Sequence, residues 1–478
     1  MLDVLLETVA LAEGHCDYAE ARRVDRAAEH VVTRNGEVET VDVHESDGIG
    51  VRVRRGGAWG FASAREPTAA GAEAALRRAL EVADALPAAP AAPLAPVDPA
   101  RGHWEGPCET DPFAVPLERK VALLLDAGEA MRGDRRIAVV QASCLAMRTT
   151  RALASTDGAA CTQTLTECGA GIGATAVGGG EVQTRSFPGN HEGGSAAAGW
   201  EHVEGLDLAG QAPRVAQEAV ELLMAPECPS GMRTIVLHGE QLALQLHESI
   251  GHALELDRML GGEASYAGTS WVSPADLGRL TYGSELLNVT ADATRPGGLG
   301  TFGWDDEGVP GQSYPLVAEG RLVGVLSSRE SAAAIGLDAS GGCARADGHT
   351  RQPIVRMTNV SIEPGDAGSL DDLVADTGDG LYLETNRSWS IDDRRLHFQF
   401  GVELAREIRD GRLGRVLRNA SYSGLTPEFW GSLDAVGGPG DWRMWGVLNC
   451  GKGEPGQIMH VSHGTSPARF RDVQVGAA

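Results

Sequence analysis

The sequence predicts an α+β protein, with N-terminal helices packed on an antiparallel sheet and a β-rich C-terminal part built around one helix that carries two histidines. Three observations lead there. Apolar-periodic helical stretches and alternating strand-like runs share the first half of the chain. After about residue 225 the pattern changes to short strands and glycine loops. One long helical stretch, at about 240–259, interrupts that second pattern.

The helices come first. Asp3 to Glu13 has helical apolar periodicity, and Thr68 to Leu86 ("TAAGAEAALRRALEVADAL") is alanine-rich, with Thr68 placed as N-cap after Pro67. Between them, Val31 to Ala62 alternates in short runs that Asn35-Gly36, Asp47-Gly48 and Gly56-Gly57 are expected to break, because these dipeptides tolerate positive φ. Pro87 to Ala100 holds five prolines and is expected to be an extended connector. A helix follows at about Leu117 to Met131, then antiparallel strands from Ile137 to Ala198. Gly169, Gly171 and Ala174 satisfy a loose G-x-G-x-x-A, but the Gly178 to Gly180 run cannot open the helix that a dinucleotide site needs.

A helix near Arg214 to Met224 leads into "APECPSG", the expected boundary. The chain of 478 residues is too long for one ordinary core. It divides into an N-terminal α+β domain, 1–225, and a C-terminal β-rich domain, 226–478.

A formal charge of −25 argues against nucleic acid as a partner, which would need clustered Lys and Arg. No apolar run approaches the roughly 18 residues of a membrane span. Asp3 and Glu7 stand where a signal peptide would be basic, so the expected location is cytoplasmic. The eight cysteines form no C-x-x-C pair and are expected to be reduced and mostly buried.

The chemistry concentrates in "LQLHESIGHALELD", Leu244 to Asp257, where His247-Glu248 is followed by His252. The spacing is H-E-x-x-x-H. On a regular helix His247 and His252 would point about 140° apart and could not share an ion. A π-type bulge would bring i and i+5 towards one face, and Gly251 would make such distortion cheap. Leu242, Leu246, Ile250 and Ala253 mark the buried stripe. A catalytic zinc needs three protein ligands and one open position. The third ligand must come from elsewhere, and Cys450, His460 and His463 in the C-terminal stretch are all open to that role.

Four further stretches join this motif: "GIGVRVRRGGAWGFASA" (Gly48 to Ala64), "GTFGWDDEGVPGQ" (Gly300 to Gln312), "TRQPIVRMTNVSIEPG" (Thr350 to Gly365) and "NCGKGEPGQIMHVSHGTSPARFRDV" near the C-terminus. Together they resemble the TldD/PmbA metalloproteases, and within them the TldD-type subunit, over nearly the whole chain. The resemblance implies Zn2+ held by His247, His252 and Cys450, with Glu248 as general base. It implies hydrolysis of unfolded or short peptides in a closed chamber, leader removal from ribosomally made peptides in some members, and a heterodimer with a PmbA-type (TldE) subunit. His460 and His463 then become candidates for supporting or oxyanion roles. "WDDEG" (Trp304 to Gly308) is expected to be a solvated acidic turn. Arg356 and Asn359 either contact peptide backbone or tie loops together. Two rivals keep the same residues: a zinc amidase acting on a small molecule, and a non-catalytic subunit or scaffold with a structural zinc.

Overall fold

A computed structural model describes residues 2–87, 93–189 and 194–477. Part of the expected connector, 88–92, and residues 190–193 of the expected strand region lie outside the described residues. The architecture is α+β, as the sequence predicts.

The N-terminal part opens with α1 (Leu2–Ala12), β1 (Tyr18–Arg34), β2 (Glu37–Arg55), β3 (Ala58–Ala64) and α2 (Ala69–Ala85). It continues through β4 (Arg101–Glu105), α3 (Leu117–Ala130), β5 (Ile137–Ser155), β6 (Ala160–Gly178), β7 (Glu181–Phe187), β8 (Ser195–Ala196), α4 (Trp200–Gly205) and α5 (Leu208–Met224). The strands form one sheet in the order β3-β2-β1-β5-β6-β4, with β7 and β8 also on β6. Thr68 caps α2, accepting from Gly71 N at 3.2 Å. Asn35-Gly36 and Gly56-Gly57 make the expected turns, both residues of each pair having positive φ.

Asp47-Gly48 makes no turn. Strand β2 runs straight through it, with Asp47 opposite Asp25 and Gly48 opposite Val24. A Cβ at Gly48 would lie 2.4 Å from the His349 ring, so the glycine serves close packing. The sequence reading also missed residues 18–30 of β1 and the first turns of α5. Charged residues on β1 hide its alternation, and Pro213 inside α5 disguises a helix that Asp207 caps from the left-handed region.

In the C-terminal part β9 (Gly231–Leu237) joins strands Gly380–Ile391, Ala468–Ala477, Ala420–Leu425, His397–Arg409 and Arg412–Leu417. Because Gly380–Ile391 pairs with both β9 and His397–Arg409, five of these strands close into a ring. Closure removes exposed edges and fixes the frame from which the next helix departs. The core there includes Phe400, Tyr422, Phe429, Trp430 and Phe470, with Phe429 stacked on Phe470 at 4.1 Å between ring centroids.

The "WDDEG" turn is not solvated. Asp305, Asp306 and Glu307 are each at most 4% exposed. Asp305 accepts from Glu307 N and Val309 N at 2.9 Å, and Asp306 accepts from Ala346 N at 2.7 Å. Glu307 accepts from Arg52 of β2 at 2.9 Å, tying the two halves of the molecule together. The carboxylates stay buried because main-chain N–H groups and arginines of the N-terminal sheet replace water.

Candidate metal centre

Strand β9 delivers the chain to His238, which caps α6 (Gly239–Leu246) through Nδ1. The next five residues, His247–Gly251, form a single π turn in which His252 N donates to the His247 carbonyl. A short 3-10 turn, His252–Leu254, follows, and Glu255 leaves the helix with ψ 115°. Widening a helix frees backbone groups that need new partners. Tyr282 supplies one, donating to the Ser249 carbonyl at 2.6 Å, while the Trp430 indole fixes the Ser249 hydroxyl at 3.0 Å. The result sets the His247 and His252 rings 4.7 Å apart between centroids.

Gly251 plays a different part from the one expected. Its φ −52° and ψ −63° are ordinary helical values that any residue adopts. What demands glycine is Met357, whose sulfur would lie 2.1 Å from an added Cβ.

The third group arrives on a hairpin, Arg443–Lys452 with Gln457–Thr465, whose register shifts between Val447 and Cys450. His247, His252 and Cys450 are all buried, and one ligand atom from each lies within 4.8 Å of the others. Cys450 Sγ is 3.6 Å from His252 Nε2. Arg356 donates to the same sulfur at 3.1 Å and also to the Cys450 carbonyl. Burial pushes the Cys450 thiol up, but Arg356 and His252 outweigh it and hold the thiol below its ordinary value. At Cys144, Cys161 and Cys343 burial prevails and pushes the thiols up to about 12. Cys450 thus differs from these three in an environment that favours the thiolate.

Hydrogen bonds fix the tautomers of both histidines. His463 Nδ1 faces the Val360 carbonyl at 2.8 Å and must donate, which leaves its Nε2 to accept. That Nε2 is 2.7 Å from His247 Nδ1, so His247 donates there and keeps a lone pair on Nε2. His252 Nδ1 faces Glu255 Oε2 at 2.9 Å and likewise leaves Nε2 free. Burial holds both imidazoles neutral, pushing His247 down to about 4 and His252 well below its ordinary value. Lys452, fully buried, lies 3.3 Å from Glu255 and pairs with it. Two neutral imidazole nitrogens and a thiolate, each held from behind, fit a zinc ion with one position left open.

Glu248 is buried beside the cluster and paired with Arg395 through Oε2. Arg395 stands at the tip of the hairpin between Gly380–Ile391 and His397–Arg409, at φ 63°. Thr426 holds its carbonyl at 2.8 Å. No signal in the sequence singles out this arginine among 41 basic residues. The pairing depends on how a distant hairpin folds back.

The structure separates the two remaining histidines. His463 supports His247, whereas His460 pairs with Glu167 of β6 at 2.6 Å and faces a neighbouring cavity. Arg356 serves Cys450. Asn359 ties loops, accepting from Gly300 N at 2.8 Å and donating to the Asp292 carbonyl at 2.7 Å.

Among the described residues no helix is long and apolar enough to cross a membrane. Residues 230–477 match the PmbA/TldA metallopeptidase C-terminal domain, 19–83 match domain 1 and 110–225 match the central domain. A metalloprotease of Methanothermobacter thermautotrophicus is 30% identical over 472 residues, covering 97% of this chain and 96% of the relative. A protein of Saccharolobus solfataricus named zinc metalloprotease TldD homolog is 26% identical over 248 residues, 52% of each chain. The crystal structure of TldE from Thermococcus kodakarensis superposes with a TM-score of 0.75 at 14% identity, covering 99% of this chain and 100% of that one, a likeness of fold. The chain belongs to the PmbA/TldA metallopeptidase family.

Proposed function

We propose that this chain is a zinc peptidase that cleaves unfolded or short peptides, with His247, His252 and Cys450 as the metal ligands. The observation that carries this reading is the convergence of one ligand atom each from His247, His252 and Cys450 within 4.8 Å of one another, beside the Glu248 carboxylate. Zinc is favoured by the mixed nitrogen and sulfur donor set and by the name of the Saccharolobus relative.

A zinc ion held by these three residues would polarise a peptide carbonyl and lower the pKa of water. The protein's own groups do the rest. With Oε2 of Glu248 held by Arg395, Oε1 is the oxygen we assign to take the proton from the attacking water and return it to the leaving amine. His463 and Glu255 keep the imidazoles aimed, and Arg356 favours the thiolate form of Cys450.

The TldE-like fold supports a pairing with a related subunit, and leader removal from ribosomally made peptides is one task such an assembly would serve. Eight free cysteines are in keeping with a cytoplasmic setting. A purely structural zinc would call for a fourth protein ligand. His460 and His463 are the nearest candidates by sequence, and both have other partners. Elemental analysis of wild type and Cys450→Ala, followed by peptide cleavage with wild type and Glu248→Gln, tests the proposal. Equal zinc in the first pair, or equal cleavage in the second, sinks it.

A further inference from the structure

Two cavities meet on the sheet side of the Cys450 hairpin. The larger, about 780 Å³, is a trough over one face of β5, from Val139 through Gln141, Ser143 and Leu145 to Met147. Leu448 and Asn449, the two residues before Cys450, also line it. The smaller, about 160 Å³, continues along the same face over Met147, Thr149 and Arg151. Met147 and His460 line both. The alternation of a strand puts these residues in one row, and Val139 to Arg151 spans about 40 Å of extended chain. Opposite Gln141 and Ser143, β6 places Gly173 and Gly171, so no side chain fills the floor there.

The charge of the smaller cavity is unexpected in a protein of net charge −25. Arg26, Arg151 and Arg345 line it, against Glu167 and Asp347. Both carboxylates are already engaged. Glu167 is 2.6 Å from His460, and Asp347 pairs with Arg26 at 3.1 Å.

Of the other two arginines, Arg151 is ion-paired with buried Asp306 at 3.5 Å, whereas Arg345 has no carboxylate partner among the described residues. Arg345 is buried and donates to main-chain carbonyls, those of Met357 at 2.9 Å, His460 at 3.2 Å and Leu299 at 3.4 Å, while its Nε has no hydrogen-bond partner among the described residues. Burial, then the charges of Arg151 and Arg356, pull its guanidinium down to about 10. Arg151 reaches Asp306 and the Ala346 carbonyl only at 3.5 Å, and its side chain is 18% exposed. A guanidinium held only by main-chain carbonyls, as Arg345 is, is costly in a partly closed pocket until an anion arrives.

We propose that this pocket receives a carboxylate of an extended peptide lying in the trough, and that Arg151 and Arg345 thereby set which peptides are presented to Cys450 and its neighbours. The inference rests on the peptidase reading above. The carboxylate is either an Asp or Glu side chain or the peptide's own C-terminus, since both offer the same two oxygens to a guanidinium.

Full-length Glu248→Gln protein, loaded with zinc, allows peptide binding to be measured without turnover. Fluorescence anisotropy would compare a labelled neutral, C-terminally amidated peptide with versions carrying Glu at each internal position in turn, and with the free C-terminal acid. We expect one acidic version to bind at least about tenfold more tightly, equivalent to about 1.4 kcal/mol. Arg151→Gln in the same background should shrink that difference to about twofold or less. Tighter binding of an internal Glu peptide assigns the pocket to a side chain, and of the free acid to the C-terminus. Equal affinity of every version, or no binding at all, overturns the inference. So does a preference that survives in an Arg151→Gln or an Arg345→Gln protein shown by circular dichroism to be folded. Cleavage by wild type is scored separately, so its absence removes the peptidase reading while the binding difference stands or falls by itself.

Discussion

His463 Nε2 lies 2.7 Å from His247 Nδ1, and its other nitrogen is bound to the Val360 carbonyl at 2.8 Å. A main-chain carbonyl on one strand thus decides, through two imidazoles, which nitrogen of His247 carries a lone pair. Such supporting partners typically contribute 10- to 100-fold in metal affinity. His463→Leu should therefore bind zinc about 10- to 100-fold more weakly than wild type in a chelator competition while keeping its far-UV circular dichroism. Unchanged affinity would show that the His247 tautomer needs no support.

Gly251 is packed against Met357, not bent into an unusual conformation. Gly251→Ala should cost about 1–3 kcal/mol in denaturant unfolding through overpacking. Trimming the neighbour in a Gly251→Ala, Met357→Ala double variant should give a destabilisation smaller than the sum of the two single changes. Strict additivity would mean the two residues do not meet.

Arg395 holds Glu248 from a hairpin tip. Arg395→Met should lower kcat for peptide cleavage by about tenfold or more with zinc content unchanged, since a misplaced base loses part of the 10²–10⁴-fold that such catalysis contributes. Arg395→Lys should recover part of the loss. A change confined to KM would move Arg395 from aligning the base to binding substrate.

In the N-terminal sheet, Arg185 of β7 gathers Glu218 at 2.9 Å, Glu403 at 3.3 Å and Glu384. Burial pushes the Glu384 carboxyl up, but Arg185, His238 and Tyr382 outweigh it and bring it down to about 2 from the ordinary 4.5. A depressed carboxyl stabilises the fold fully above its unfolded value and loses that contribution as pH falls through the folded one. Wild type should thus exceed Glu384→Gln by about 2–3 kcal/mol at pH 6, the gap closing as pH falls from 4.5 towards 2. Glu240, pushed well up by burial and by Glu403, contributes a slope of opposite sign, so the two proteins are compared at each pH by urea unfolding. A gap that does not change with pH would detach Glu384 from this network.

Much of the site was legible because it is written locally. The five-residue spacing of His247 and His252 cannot serve one ion on an α-helix, so a shared ion calls for a π turn, and His247–Gly251 forms one. Thr68, Asn35-Gly36 and Gly56-Gly57 are local signals too, and the chain obeys them. Asp47-Gly48 misleads because the same dipeptide that permits a turn also permits close packing, and His349, some 300 residues later, decides which applies.

By itself the sequence determined the α+β character and the two-histidine motif, and it raised the π turn and Cys450 as candidates. Only the tertiary structure brought Cys450 to those histidines, gave His463 to His247 and His460 to Glu167, and set Arg395 on Glu248. It also buried the carboxylates of "WDDEG", which read as solvent-facing because the arginines that neutralise them lie 150 to 290 residues away. Turn chemistry and helical phase act over a few residues and can be read along the chain. Burial, proton positions and charge pairing depend on which distant segments meet, and folding alone decides that.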